Sequence, residues 1–337
     1  MKKTVSFSRD SANVFFHITT RCNLTCRHCY INRDQHGDET LPLETVETWL
    51  NLFARRSVKA NIVFLGGEPT VHPELAHMIK KARKLGYDSI TVDTNGFLFN
   101  DILSKVTPQE VDYFSFSLDG ATAATNDMIR GAGSYVACTN GIRQAVTRGF
   151  SVSVIFTVSQ TNIHEIGSMG PLLTSLGVKR FFIQVIGIRG RSAANRTENL
   201  QVARNDWLGT VPTAAEEIAR QGITVTFPKV FLKAGDRFEC AGRVADNYFV
   251  FPNGRVYRCP LCEDFAMHSL MVDVNRLTER EPINENDLFQ LDIPEGCVMN
   301  KLIQPDNLSY RPDGTPKYRI ACCLLKEEIA GYTLKRT

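Results

Sequence analysis

Short apolar runs alternate with longer amphipathic stretches over roughly the first 190 residues of the chain. Strands buried on both faces are nearly continuous apolar runs, whereas surface helices repeat apolar residues every three or four positions. By this pattern we predict six strands: Val14–Thr19, Asn61–Leu65, Ser89–Asp93, Tyr113–Leu118, Ser151–Val158 and Arg180–Gly187. The helical stretches predicted between them include Leu43–Arg56, Pro73–Leu85 and Tyr135–Arg148. This alternation predicts an α/β fold with a parallel sheet.

Six strand-helix units predict a partial (β/α)6 TIM-like barrel. A complete eight-stranded barrel is the alternative, but residues 196–221 contain no clear strand and the next one is Ile223–Phe227. Further along, Tyr248–Tyr257 predicts two strands about an Asn-Gly turn. We therefore predict the barrel over residues 1–192, a connecting helical segment over 193–234 and a small α+β domain over 235–337. In a parallel barrel, ligands bind at the carboxyl ends of the strands.

The composition is that of a soluble protein with a sizeable core. The 337 residues are 43% hydrophobic and 22% charged, and no apolar run is long enough to cross a membrane. The first ten residues lack the apolar stretch of a signal peptide, so we expect a cytoplasmic protein without a membrane partner. The net charge of +3 does not indicate bulk nucleic-acid binding. In a reducing compartment, the ten cysteines favour metal-bound thiolates over disulfides.

Three cysteines stand close together after the first predicted strand. Cys22, Cys26 and Cys29 form a C-x3-C-x2-C motif. A four-iron four-sulfur (4Fe-4S) cluster normally takes one cysteine per iron, so three cysteines would leave one iron open for chemistry. The alternatives are a zinc site, which His28 would complete as Cys3His, and a set of buried thiols.

This motif, followed by the aromatic Tyr30, resembles that of the radical S-adenosylmethionine (radical SAM) superfamily. The resemblance implies that the open iron binds the amino and carboxylate groups of S-adenosylmethionine. One electron, from a donor such as flavodoxin or ferredoxin, would then cleave the cofactor to a 5′-deoxyadenosyl radical. Tyr30 matches the aromatic residue that packs beside the adenine.

A second motif follows the second predicted strand. Gly66 and Gly67 would let the backbone approach a ligand, and the Glu68 carboxylate would accept a hydrogen bond from an ammonium group. With Pro69, these residues resemble the family's GGEP segment, which binds the methionyl amino group, and we choose Glu68 for that contact. An ordinary glycine loop is the alternative.

The third and fourth predicted strands end in small polar residues. Thr94 and Asn95 precede Gly96, and Ser117 and Asp119 precede Gly120. Asn-Gly and Asp-Gly are common turn dipeptides, so turns without further function are the alternative. By the resemblance, Thr94 and Asn95 line the substrate and adenosyl pocket, and Ser117 and Asp119 approach the ribose or the substrate.

The last two predicted strands supply two further candidates. Val158 ends the fifth strand and by the resemblance packs on the adenine. Arg191 follows the sixth strand and either pairs with the methionyl carboxylate through a forked contact or is a solvated surface residue.

A second group of cysteines occupies the carboxyl-terminal third. The spacing Cys240-x13-Gly254-x4-Cys259 resembles the SPASM and twitch extensions, which bind an auxiliary 4Fe-4S cluster. Further candidate ligands are Cys262, Cys297, Cys322 and Cys323. The chain departs from the full SPASM array, so we expect one auxiliary cluster with only one residue of the Cys322-Cys323 pair as a ligand. The alternative is zinc bound at the Cys259-x2-Cys262 hook.

The resemblance implies a radical SAM oxidoreductase or maturase with an auxiliary iron–sulfur domain, acting on a peptide or protein. A small-molecule or cofactor-pathway dehydrogenase is one alternative. A non-catalytic iron–sulfur electron carrier or scaffold is another, although a carrier has no need of the Gly66–Pro69 segment.

Overall fold

The computed structural model describes residues 2–5, 7, 9–57, 59–194, 200–233, 235–280 and 283–332. Part of the segment predicted to lack a strand, residues 196–199, lies outside these ranges. The strands are β1 (Lys2–Val5), β2 (Ala12–His17), β3 (Ala60–Leu65), β4 (Ser89–Thr94), β5 (Tyr113–Ser117), β6 (Val152–Val158), β7 (Arg180–Val185), β8 (Thr224–Pro228), β9 (Phe231–Leu232), β10 (Asp246–Val250), β11 (Arg255–Tyr257), β12 (Leu270–Asp273), β13 (Arg276–Glu279), β14 (Arg319–Ile320) and β15 (Lys326–Ile329). The α-helices are α1 (Arg33–His36), α2 (Leu43–Ala54), α3 (Leu75–Lys84), α4 (Ile102–Lys105), α5 (Ala123–Arg130), α6 (Ser134–Thr147), α7 (Met169–Ser175), α8 (Arg191–Ala194), α9 (Arg204–Ala219), α10 (Ala241–Val244), α11 (Glu285–Phe289) and α12 (Val298–Ile303).

The six predicted strands are confirmed as β2 to β7. They lie side by side in chain order, and every neighbouring pair is parallel. Helices in the connections return the chain to the same end of the sheet, as in a TIM-like barrel. All six strands therefore end at one rim.

The parallel sheet is wider than the six strands predicted. β8 pairs in parallel with β7 at one side, and β10 pairs in parallel with β2 at the other. The predicted hairpin is confirmed, because β10 and β11 are antiparallel about a turn in which Gly254 has a φ of +80°. Strands from the predicted connecting segment and from the predicted second domain thus extend the barrel wall. The order from β1 to β13 leaves the sheet open.

The two faces of the parallel sheet have different tasks. Phe16, Phe64, Val92 and Phe114 are partners in register across β2 to β5, and all four are fully buried in the main apolar core. The alternate positions face an inner cavity, since side chains along a strand alternate between faces. The outer face therefore supplies the core, and the inner face supplies the site.

Antiparallel strands complete both sides of the sheet. β15 lies between β8 and β1, and β11 to β13 extend the opposite side beyond β10.

In the part of the chain that the structure describes, no helix combines the length and the apolar character needed to cross a membrane.

Candidate active site

A cavity of about 340 Å3 opens at the carboxyl ends of the parallel strands. Its wall brings together ten of the residues predicted from sequence: Cys22, Cys26, Cys29, Tyr30, Gly66, Gly67, Glu68, Thr94, Asn95 and Ser117. These residues come from the ends of four different strands, which supports the expectation that the carboxyl rim carries the site.

Four predicted residues lie away from the cavity wall. Pro69 and Val158 are buried in the protein interior, and Asp119 is buried beneath the cysteine loop. Arg191 is exposed at the start of α8, where its guanidinium donates to the Cys26 carbonyl at 3.3 Å. Their predicted contacts with S-adenosylmethionine remain predictions.

The glycine turn after β3 packs directly against the start of the cysteine loop. The Gly67 amide donates to the Thr19 carbonyl at 2.8 Å, and the Glu68 amide donates to the Arg21 carbonyl at 2.9 Å. A Cβ atom at Gly66 would stand 2.5 Å from the Thr19 carbonyl oxygen, and one at Gly67 would overlap Arg21. Only glycine allows this approach, so the two motifs are held together by backbone contact.

Glu68 is a buried hydrogen-bond acceptor that joins the ends of β3 and β4. Its Oε1 accepts from the Thr70 amide and hydroxyl and from the Thr94 hydroxyl at 2.8 Å. Its Oε2 accepts from the Asn95 amide at 2.7 Å. Burial raises the pKa of this carboxyl, while these donors oppose the rise. Each carboxylate oxygen offers about two acceptor positions, and Oε2 accepts only from Asn95 among the described residues, so one position on Oε2 remains for a ligand.

Asp119 anchors the cysteine loop to the barrel. Its Oδ2 lies 3.1 Å from Nε2 of His28, which stands within the motif, and 2.7 Å from Nε of Arg130 at the end of α5. Its Oδ1 accepts from the Thr157 amide at 2.7 Å. Burial acts to raise the pKa of Asp119, but Arg130 and His28 outweigh it and lower the pKa to about 2. His28 is thus held by a carboxylate through Nε2.

Tyr30 is fixed from two directions. Its hydroxyl contacts Nε2 of His17 at 2.7 Å, while Nδ1 of His17 lies 3.0 Å from the Val250 carbonyl. A carbonyl can only accept, so Nδ1 carries the proton and Nε2 accepts from Tyr30. The Arg189 guanidinium lies 4.8 Å from the centre of the Tyr30 ring. This arrangement leaves the aromatic residue with a single orientation at the cavity wall.

Residues 263 and 264 connect the cysteine loop to the carboxyl-terminal half. Glu263 forms an ion pair with Arg189 at 2.9 Å, and its carbonyl contacts Nε2 of His36 at 2.9 Å. Asp264 accepts from the Asn32 amide side chain at 3.2 Å. The segment after Cys262 is therefore tied to the residues that follow Cys29.

Sequence reasoning missed five ionisable residues on the cavity wall: Asp93, Arg130, Arg189, Glu263 and Lys326. Arg189 stands two residues before Arg191, the residue predicted from sequence. The two differ in the direction of their side chains, because Arg189 lines the cavity and Arg191 does not. The Lys326 ammonium has no hydrogen bond or ion pair with any described residue, the thiols of Cys322 and Cys323 lie near it, and burial lowers its pKa. No local motif marks Lys326, because the chain returns to the cavity only through the long-range pairing of β15 with β8.

The carboxyl-terminal cysteines gather at a second, smaller cavity. Its wall contains Cys240, Cys259, Cys297, Cys322 and Cys323, among apolar side chains such as Phe289 and Met299. Cys262 is fully buried in the same apolar cluster but is not part of this wall. The enclosed space is about 20 Å3, so a four-iron cluster would require these side chains to move outward.

Glu285 holds the Cys259 segment in place. Its Oε1 accepts from the Arg258 amide at 2.6 Å and its Oε2 accepts from the Cys259 amide at 3.1 Å. It also accepts from the Ser269 hydroxyl at 2.7 Å. Burial raises the pKa of Glu285 to about 7, although these donors oppose the rise.

The cysteines of both cavities are sulfur donors of the kind that bind iron–sulfur clusters. Among the described residues, no group of three or more His, Cys, Asp or Glu side chains is arranged to hold a metal ion. Burial raises the pKa of Cys22 to about 11 and that of Cys240 to about 12, so both are thiols in the metal-free protein. Metal binding must therefore release protons. In the carboxyl-terminal group, Cys322 is the exception, since the Cys323 thiol and backbone amides lower its pKa.

Comparison with known proteins gives one family match. Residues 16–169 match the family model described as "Radical SAM superfamily". Pre-heme d1 synthase from Dinoroseobacter shibae is 31% identical over 194 residues, covering 57% of this chain. The chain spans about half the length of that relative, 47%. Mycofactocin maturase MftC from Mycobacterium ulcerans is 27% identical over 283 residues, covering 78% of this chain and 71% of MftC.

Solved structures share the fold. Streptococcus suis SuiB bound to precursor peptide SuiA aligns with a TM-score of 0.63 at 13% identity, covering 88% of this chain and 65% of SuiB. The protein anSMEcpe with bound AdoMet and Kp18Cys peptide aligns with a TM-score of 0.58 at 14% identity, covering 74% of each chain.

Replacing Asp119 with asparagine should loosen the cysteine loop. The substitution leaves Arg130 buried without its carboxylate, and breaking such a pair costs about 3 kcal/mol of unfolding free energy. Chemical denaturation measures this loss, and hydrogen exchange should show faster opening at residues 22–29. Asp112→Asn is the control, because its pair with Arg83 is about one-third exposed and costs about 1 kcal/mol or less. Unchanged exchange at residues 22–29 in Asp119→Asn would contradict the anchoring role.

Replacing Glu68 with glutamine should lower both the stability of the protein and its affinity for S-adenosylmethionine. An amide has one acceptor oxygen, so the Asn95 amide would face an NH2 group, at a cost of about 1–3 kcal/mol. Loss of a charge-assisted bond to the ammonium should reduce affinity about tenfold. Thermal unfolding and calorimetry measure the two effects, with the exposed Glu44→Gln as control. Wild-type affinity in Glu68→Gln would reject the ammonium contact.

Proposed function

Because residues 16–169 match the radical SAM superfamily model, we propose that the chain cleaves S-adenosylmethionine at a 4Fe-4S cluster held by Cys22, Cys26 and Cys29 and modifies a peptide or protein. The supporting observation is that all three cysteines share one cavity wall with the Gly66–Glu68 turn. The proposal includes an external electron donor such as flavodoxin or ferredoxin, and a cytoplasmic location.

The residues of this chain have separate tasks in the proposed reaction. When bound, the cluster and its cofactor would supply a 5′-deoxyadenosyl radical that removes a hydrogen atom from the substrate. Glu68 would accept from the methionyl ammonium at its remaining position on Oε2. Apolar wall residues such as Phe15 and Phe249, whose rings stack at 4.5 Å, would keep water from the reacting atoms.

A peptide substrate is supported by the comparisons that cover most of the chain. MftC, which matches 78% of the chain, is a maturase by name, and the aligned SuiB structure contains a precursor peptide. A small-molecule or cofactor-pathway substrate is the second candidate. It is favoured by Lys326, a cation in the cavity that would suit a compact anion, and by the name of the pre-heme d1 synthase relative.

We further propose one auxiliary 4Fe-4S cluster held by Cys240, Cys259, Cys297 and Cys322. These four line the second cavity, and Cys322 is chosen over Cys323 because Cys323 also lines the reaction cavity whereas Cys322 does not. The Cys262 thiol does not line this cavity but is hydrogen-bonded to that of Cys259, so zinc bound at the Cys259 and Cys262 hook stays the alternative. Cys323 lines both cavities, so an auxiliary cluster would lie directly behind the wall of the reaction cavity.

The function is tested by replacing Cys22, Cys26 and Cys29 with alanine together. The triple variant should lose about four irons per chain and all cleavage of S-adenosylmethionine, because one cubane is lost. Anaerobic iron analysis, electron paramagnetic resonance and assay of 5′-deoxyadenosine measure the result. Cys138→Ala, a buried cysteine outside both groups, is the control. A wild-type protein that binds the cluster but never cleaves the cofactor would indicate a carrier and overturn the proposal.

The auxiliary ligands are tested by single alanine substitutions. Reconstituted wild-type protein should contain about eight irons, and Cys297→Ala and Cys322→Ala should fall to about four. Cys262→Ala and Cys323→Ala should keep about eight, since neither is a proposed ligand. Elemental analysis gives iron and zinc together. Stoichiometric zinc, or loss of iron in Cys262→Ala but not in Cys322→Ala, would contradict the assignment.

A further inference from the structure

A strongly basic groove of about 680 Å3 lies outside the reaction cavity. Its walls are α9, residues 227–233, residues 311–319 and parts of β1 and β15. Seven lining side chains are cationic, namely Lys2, Arg204, Lys229, Lys233, Arg311, Lys317 and Arg319, and a single carboxylate, Glu327, lines it with them. The whole chain has 39 cationic and 36 acidic residues, so this excess of positive charge is local.

Most of these cations are not neutralised within the protein. Lys2 pairs with Glu327 at 3.1 Å, and Lys229 pairs with Asp236 at 2.8 Å. The remaining five have no ion pair with a carboxylate of any described residue. Like charges held together repel one another, so an anionic partner would stabilise the groove.

Arg204 gives the groove a fixed recognition element. Its guanidinium lies 3.8 Å from the centre of the Tyr318 ring and 5.2 Å from that of Phe231. Its Nε is buried and has no hydrogen-bond partner among the described residues. A buried donor without an acceptor is costly, and a stacked guanidinium is suited to a forked pair with a carboxylate. The stacked guanidinium of Arg204 is thus a fixed cation on the wall of the groove.

The aromatic residues argue for carboxylates over nucleotides. Single-stranded nucleic acids bind where bases stack on exposed aromatic faces beside a basic groove. Here Trp207 is 3% exposed and Phe231 is 8% exposed, while Arg204 covers Tyr318. Trp207 and Phe231 are therefore closed to a base, and Arg204 occupies one face of the partly buried Tyr318.

The groove lies directly behind the wall of the reaction cavity. Pro228 lines both spaces. On β15, Lys326 faces the cavity while its neighbour Glu327 lines the groove. Neighbouring side chains of a strand point to opposite faces, so the two spaces lie on opposite sides of the same wall. A segment bound in the groove would raise the effective concentration of the remaining peptide at the cavity.

We propose that the basic groove binds an acidic segment of the peptide substrate, remote from the residue that reacts. This inference rests on the proposed peptide-modifying function. Binding should weaken as salt rises, because the contacts are between charges near the surface.

The test uses the full-length protein and a fluorescein-labelled octaglutamate peptide, with binding followed by fluorescence anisotropy. Lys233→Glu with Lys317→Glu should weaken binding tenfold or more, and Arg204→Gln should weaken it severalfold. The matched control is Lys80→Glu with Lys84→Glu, which makes the same charge change on an exposed face of α3 and should stay within twofold. Thermal unfolding checks that each variant is folded.

Further measurements separate the outcomes. Equal binding of octaglutamate by the groove and control variants would overturn the site. Octathymidylate or phosphatidylserine vesicles binding tighter than octaglutamate, with the same loss in the groove variant, would overturn the peptide assignment. Cleavage of S-adenosylmethionine, measured on the same proteins, should be unchanged in the groove variant. Absence of cleavage in wild-type protein would reject the proposed function, while the anisotropy result would still decide the groove.

Discussion

The buried carboxylate of Asp119 is the contact on which the geometry of the candidate site depends. The cysteine motif lies in a loop, so no helix or strand ladder fixes its three sulfur atoms. Asp119 supplies that constraint, because it holds His28 from within the motif and Arg130 from α5 while bonded to the backbone of Thr157. Because Asp119 follows β5, these contacts fix the cysteine loop relative to the rim of the barrel.

Acidic residues also connect separate segments at the opposite wall of the cavity. Glu68 gathers donors from two strand ends, and the glycines before it bring β3 against the start of the cysteine loop. Glu263 and Asp264 then connect the loop to the carboxyl-terminal cysteines. The two groups of cysteines, more than two hundred residues apart in sequence, are therefore parts of one polar framework.

Local pattern was sufficient to predict β2 to β7 and the residues that end them. Strand period and glycine turns are local signals, and parallel strands must end at the same rim. The role of Asp119 was not predictable, because an Asp-Gly pair after a strand is equally consistent with a turn. The position of Lys326, the pairing of β10 with β2 and the basic groove depend on contacts between distant segments. Neither the hydrophobic period of a segment nor its composition shows which distant segment it pairs with.

The pairing of β1 with β15 and of β2 with β10 has a consequence for how the protein folds. Residues 2–5 lie against residues 326–329, and residues 12–16 lie against residues 246–250. During synthesis, the first strands leave the ribosome long before their outer partners exist, so apolar strand edges stay open in the interval. Contacts at such sequence separation also form slowly. The protein should depend on chaperones during translation more than a barrel built from local pairings does.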